Sequence, residues 1–130
     1  LVTRSGIYPL PTLAEELGDQ LEDPAAALTT LRRLYADPTM QTASAMLWLA
    51  GFADHFDDPD LALAALRRSY VDLGGTNIGM IWRPFRNPLR ADPRFKDIVR
   101  DLGLVDYFRS SGNWGDFCRP LGGGDDFECQ

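Results

Sequence analysis

EDPAAALTTLRRLYAD at residues 22–37 returns as DDPDLALAALRRSYVD at residues 57–72, a spacing of 35 residues. Nine of the sixteen aligned positions are identical, and they are Asp23/Asp58, Pro24/Pro59, Ala27/Ala62, Leu28/Leu63, Leu31/Leu66, Arg32/Arg67, Arg33/Arg68, Tyr35/Tyr70 and Asp37/Asp72. A fixed period of this length is typical of helical repeats, whose units stack to bury their apolar faces. The repeat therefore predicts an all-α solenoid, an architecture that usually binds partners and rarely catalyses.

Asp-Pro pairs indicate where the helices begin. They stand at Asp23-Pro24, Asp58-Pro59 and Asp92-Pro93. In each pair the aspartate suits the N-cap and the proline suits the first helical position. Helix pairs are predicted over 12–35 and 40–72, with an irregular third pair over 77–102 and a last turn over 104–110. The predicted organisation is an irregular lead-in at 1–10, a helical repeat domain with a capping helix at 11–111, and a loop and tail at 112–130.

Composition limits the classes of function. Hydrophobic residues make up 45% of the chain and charged residues 25%, as in an ordinary globular domain. The formal net charge of −6 argues against direct nucleic-acid contact, and no apolar run is long enough for membrane insertion. Since the chain opens at Leu1 rather than at methionine, we expect a piece of a longer protein. An upstream segment would then decide whether it works in the cytoplasm or the periplasm.

A basic cluster interrupts the acidic background. Arg83, Arg86, Arg90, Arg94 and Lys96 fall within 14 residues. One interpretation is an anion-binding patch formed by Arg83, Arg86 and Arg90, which would make the chain a sensor of a small molecule through its Arg- and aromatic-rich stretch at 81–94. The other interpretation is a basic surface that is solvated or pairs with the acidic first half of the chain.

Cys118 and Cys129 are the two cysteines. They fit either one bridge, closing a short loop through the intervening glycines, or two free thiols. A bridge would require an oxidising compartment. With the single His55 they are too few for a structural zinc site, which needs four ligands, so no metal and no cofactor are predicted.

His55 and its acidic neighbours are the other candidates for chemistry. As a general base His55 would need a nucleophile such as Ser44 and an orienting carboxylate such as Asp54 or Asp57. A cation at a helix C-terminus is the simpler interpretation. The surrounding aspartates lack the glycine and the closing glutamate of a calcium loop, which favours helix capping. We therefore predict no catalytic residue.

The second repeat resembles the tetratricopeptide repeat family, which is built from 34-residue helix–turn–helix units. The residues that carry the resemblance are large at Met46, Leu49 and Leu66 and small at Ala50, Ala62 and Ser69. The first repeat departs from the pattern, because Pro11 and Glu15 occupy a large and a small position of its first helix. That departure implies a truncated or displaced helix. The resemblance covers roughly residues 11–102.

In that family the first helices of the units line a concave groove. With the helical phase set by Ala50, the groove residues would be Ser44, Leu47, Gly51 and Asp54, with Trp48 as a further candidate. Small and apolar groups beside one carboxylate suit an amphipathic or extended peptide. The resemblance thus implies a non-enzymatic module whose partner is a protein or peptide.

The C-terminal segment at 89–129 resembles the end of bacterial tetratricopeptide proteins that follow a winged-helix or adenylate-cyclase-like signalling domain. The residues that carry this likeness are Asp92–Phe95, Gly103-Leu104, Tyr107 and Asp116–Cys118. The resemblance implies that the chain is the C-terminal sensor or partner-binding part of a transcriptional or signalling regulator.

Overall fold

Helices make up most of the chain in the computed structural model, which describes residues 10–82, 85–122, 124 and 126–130, and the side chains of these except 10–12 and 87. The α-helices are α1 (Leu10–Leu17), α2 (Pro24–Tyr35), α3 (Ala43–His55), α4 (Pro59–Arg67), α5 (Asn87–Arg90), α6 (Pro93–Asp101) and α7 (Leu104–Ser111). Short 3-10 helices cover Gly18–Gln20, Pro38–Met40 and Ile78–Ile81, and a π-helical turn covers Arg68–Asp72. Two short strands close the chain, β1 (Cys118–Pro120) and β2 (Phe127–Cys129).

The chain divides into two compact units, one ending at Ile78 and the other running from Gly79 to Gln130. The first unit contains both copies of the repeated segment. The predicted third helix pair at 77–102 corresponds to an irregular part of the second unit, where a short turn and the four-residue α5 precede α6. Most of the predicted lead-in lies outside the described residues, and Leu10 is already helical.

The Asp-Pro pairs begin helices as predicted. The side chains of Asp23, Asp58 and Asp92 accept hydrogen bonds from backbone N–H groups at 3.2, 3.0 and 2.8 Å, respectively, in the first turns of α2, α4 and α6. These bonds satisfy donors that have no partner inside the helix. Each proline stands at the first helical position, where its missing N–H is not needed.

The first unit is organised around α3, which packs on α1, α2 and α4. Fully buried alanines occur on both α3 and α4, namely Ala50, Ala53, Ala62 and Ala65. Small side chains let two helix axes approach closely, and the larger Met46, Leu49 and Leu66 fill the remaining core.

Repeated residues also join the two hairpins of this unit. Arg32 on α2 forms an ion pair at 2.7 Å with Asp58, the N-cap residue of α4. Arg68 lies over the ring of Tyr35, with its guanidinium carbon 5.0 Å from the ring centroid. Because Arg32 is largely exposed, its ion pair contributes at most about 1 kcal/mol.

The all-α prediction omitted a β-hairpin in the predicted loop and tail at 112–130. β1 and β2 pair antiparallel, with Cys118 directly opposite Cys129. Gly122 has a positive φ of 58° in the connecting turn, a conformation that glycine adopts without a steric penalty. Strands of three residues are too short to show the alternation by which a sequence predicts a strand.

Tyr70 predicts how stability depends on alkaline pH. Its side chain is buried and its hydroxyl donates a hydrogen bond to the carbonyl oxygen of Asn77 at 2.5 Å. Burial raises the pKa of Tyr70 from 10.0 to about 12. The unfolded chain therefore loses this proton before the folded chain does. The contribution of this proton to the free energy of unfolding is intact below pH 10 and is lost as the pH rises toward 12. The loss amounts to about 1 kcal/mol at pH 11.

We expect Tyr70→Phe to reduce this alkaline loss. Urea midpoints of the original chain and the variant at pH 8.5 and pH 11 provide the measurement. Titration of all other groups is common to both proteins, so the difference between the two pH dependences isolates Tyr70. Parallel pH dependences would contradict the prediction.

Candidate functional site

The outward face of α3 is the part of the first unit that best fits a binding surface. Trp48 is 43% exposed, Ser44 is exposed, and Leu47 and Gly51 are half-buried. Their spacing of three or four residues places all four on one side of the helix. These are four of the five groove residues that the sequence predicts.

The fifth, Asp54, lies elsewhere. Only 5% of Asp54 is exposed, so its carboxylate does not contribute to the exposed face. His55 continues the exposed stripe in its place, at the last residue of α3. The sequence interpretations of His55, as a general base or as a cation at a helix C-terminus, did not include a place on the binding face. Its place in the stripe could have been read from its helical spacing with Ser44, Trp48 and Gly51.

The composition of α3 explains why this face is unusual. From Ala43 to Ala53 the helix contains no charged residue, and its opposite side is fully buried. A helix that is apolar on several sides is normally covered on all of them. The exposed sides of α2, α4, α6 and α7 instead have charged side chains, for example Arg32, Asp60, Arg100 and Arg109. From Ser44 to Gly51 the stripe on α3 is therefore a partly apolar surface without a charged side chain, and Trp48 lies within it.

Asp57 and Asp58 form the turn that ends α3 and begins α4. The N–H of Asp58 donates to the carbonyl of Ala53 at 2.9 Å, and the N–H of Asp57 donates to that of Asp54 at 3.0 Å. This pair of bonds is the Schellman motif, which requires a left-handed residue after the C-cap. Asp57 takes that conformation with φ 67°, and the Asp58 side chain then caps α4 through the N–H of Leu61. Capping thus accounts for Asp57 and Asp58, in line with the sequence interpretation.

Ser44 and His55 do not form the nucleophile–base pair considered from the sequence. Ser44, the candidate nucleophile, lies eleven residues earlier on the same helix, about 16 Å away along the axis. A nucleophile and its base must lie within hydrogen-bond reach. The ring of His55 instead makes an edge contact with Phe56, with the centroids 4.9 Å apart.

Two of the three arginines of the predicted anion patch, Arg86 and Arg90, have different surroundings. Arg83 lies outside the described residues, and Arg86 is exposed. Arg90 donates hydrogen bonds to the backbone carbonyl oxygens of Trp82, Phe85 and Gln130. Its guanidinium therefore holds the C-terminal residue and the segment before α5 in place within the second unit.

Cys118 and Cys129 form a disulfide that joins β1 to β2, and both cysteines are buried. The bridge covalently closes the loop that contains the glycine-rich turn. Among the described residues no group of three His, Cys, Asp or Glu side chains is arranged to hold a metal ion. Within the same part of the chain, no helix has the length and apolar character needed to cross a membrane.

Comparison with known proteins gives no relative. No protein-family model, no curated protein and no solved structure matches this chain.

Proposed function

We propose that the first unit is a non-enzymatic peptide-binding module of tetratricopeptide type, and that the outward face of α3 is its binding surface. The observation that carries the proposal is Trp48, exposed in the middle of an uncharged helix face. Exposed tryptophans in apolar surroundings are typical anchor sites for partners.

The hairpin arrangement supports the tetratricopeptide part of the proposal. α1 with α2 and α3 with α4 are successive helix pairs, and the second helix of each begins at a repeated Asp-Pro. The positions that the family pattern assigns to packing are buried, whether large or small: Met46, Leu49, Ala50, Ala62, Leu66 and Ser69. The first helices of such pairs line the concave side, which is where the exposed stripe of α3 would then lie.

The surface selects a particular kind of peptide. Trp48 and Leu47 offer apolar contact, Ser44 offers a small hydrogen-bonding group, and Gly51 lets a partner backbone approach. A short amphipathic segment with one aromatic or branched apolar anchor fits these properties. The likeness of the C-terminal segment to bacterial regulators suggests that the partner belongs to a signalling pathway.

Selection from a displayed peptide library tests this proposal. We expect the intact chain to enrich peptides that share one apolar anchor, and a representative peptide can then be titrated by fluorescence anisotropy. Trp48→Ala should weaken its binding by about 30-fold, the cost of truncating a hot-spot tryptophan. Gly51→Arg should abolish binding, because a long charged side chain then occupies the surface.

Tyr107→Ala is the matched control, since Tyr107 is an exposed aromatic residue, 58% accessible, on α7 in the other unit. It should bind the selected peptide as the original chain does. Peptides without a shared anchor, or binding that survives both α3 substitutions in folded protein, would contradict the assignment of this surface.

A further inference from the structure

Aromatic rings surround a cavity in the second unit. The residues that line it are Trp82, Phe108, Trp114, Gly115, Asp116 and Phe117. Trp82 stacks nearly parallel on Phe117, with the centroids 5.6 Å apart and an angle of 8° between the rings. Phe108 lies 6.5 Å from Trp82 and 5.3 Å from Trp114, again between centroids. Four rings thus form a continuous wall.

The size of the cavity limits its occupant. Its volume is about 70 Å³, and a single water needs about 10–15 Å³ on the same measure. The space therefore accepts a compact group of roughly five heavy atoms. A trimethylammonium head with its attached methylene carbon has this size, whereas a peptide side chain such as tryptophan does not fit.

The electrostatics of the wall favour a cation. The faces of aromatic rings are negative, and they attract cations within about 6 Å of the ring centroid. Two rings of this cluster already have a guanidinium over them, Arg90 at 4.9 Å from the centroid of Phe117 and Arg109 at 5.9 Å from that of Trp114. Neither arginine is among the residues that line the cavity.

Asp116 is one of the residues that line the cavity, and its exposed carboxylate is the acidic group among them. A neutral apolar ligand would partly desolvate this carboxylate without compensation. An ammonium ligand would instead be attracted by the aromatic rings and by the nearby carboxylate. Methylation matters as well, because methyl groups fill an apolar cavity better than the strongly hydrated N–H groups of a primary ammonium.

We propose that this cavity binds a quaternary ammonium group, the trimethylammonium head shared by choline and trimethyl-lysine. The site lies entirely within the second unit and shares no residue with the face of α3. It therefore stands or falls separately from the proposed peptide-binding function.

Calorimetric titration of the intact chain with choline tests the proposal. 3,3-Dimethyl-1-butanol is the matched ligand, because it has the same shape with a carbon in place of the charged nitrogen. We expect choline to bind at least about tenfold more tightly than the alcohol, the ratio expected from cation–ring attraction of this strength. N-acetyl-trimethyl-lysine titrated in parallel distinguishes a free metabolite from a modified side chain as the source of the group.

Substitutions locate the site. Trp114→Leu should lower choline affinity about tenfold, since one ring face is lost. Asp116→Asn should lower it several-fold and leave binding of the neutral alcohol unchanged. Asp116 is exposed, so this variant should keep the fold, as far-UV circular dichroism can check. Trp48→Ala, which removes a tryptophan from the first unit, is the control and should bind choline normally.

Three results would overturn the proposal. Equal affinity for choline and the alcohol would show a neutral apolar pocket. No heat with any of the three ligands at millimolar concentration would show that the cavity is only a packing feature. Loss of choline binding in Trp48→Ala, with Trp114→Leu unaffected, would place ammonium binding on α3 instead.

Discussion

Leu66→Ala should destabilise the protein by about 3 kcal/mol, within the 2–5 kcal/mol found for buried leucines. Leu66 is fully buried on α4, among the alanines through which α3 and α4 approach closely. The substitution removes apolar contacts and leaves a cavity that closely packed helices cannot fill by relaxation. The free energy of unfolding in urea, monitored by circular dichroism, is the measurement.

Leu21→Ala is the matched control, because Leu21 is 54% exposed just before α2. The same atoms are deleted there, and the expected change is within about 0.5 kcal/mol. Leu31→Ala removes the repeat-related leucine of α2, also fully buried, and should resemble Leu66→Ala. A small effect at Leu66 would contradict the packing of α4 on α3, on which the exposed orientation of Trp48 depends.

Local signals predicted the helices well. The Asp-Pro pairs give the starts of α2, α4 and α6, and Gly103 follows the C-cap of α6 with a φ of 77°. These signals are short-range, because a cap involves groups within four residues of one another. On α3, helical phase placed Ser44, Leu47 and Gly51 on the outward side, where they are half-buried or exposed. It also placed Asp54 there, but Asp54 is buried.

Long-range contacts were not predicted. The rings of Trp82 and Phe117 stack although they are separated by 35 positions, and no periodic pattern relates them. The contacts of Arg90 were likewise not predictable from the sequence. Its sequence context suggests an anion patch, yet its donors bind carbonyl oxygens up to 40 positions away. Which residues a cation contacts depends on tertiary structure, and composition alone does not determine it.

Reducing the disulfide should destabilise the protein by about 3 kcal/mol, the chain-entropy value for a loop of this length. The bridge links Cys118 to Cys129 across a sequence separation of 11. It stabilises mainly by restricting the unfolded chain. Urea unfolding with and without a phosphine reductant provides the measurement. The double variant Cys118→Ala/Cys129→Ala should match the reduced protein and show no response to the reductant.

The same bridge should influence the aromatic cavity. Trp114, Asp116 and Phe117 lie immediately before β1, and Phe127 at the start of β2 contacts the ring of Trp114 with the centroids 6.0 Å apart. The bridge holds β1 against β2, so it limits the positions that the preceding rings can take. Choline affinity should therefore fall in the reduced protein and in the double alanine variant alike.

Alkylation before reduction, followed by mass spectrometry, establishes whether Cys118 and Cys129 are bridged in the native protein. If both cysteines are alkylated in the native protein and the reductant changes neither stability nor affinity, the bridge has neither role.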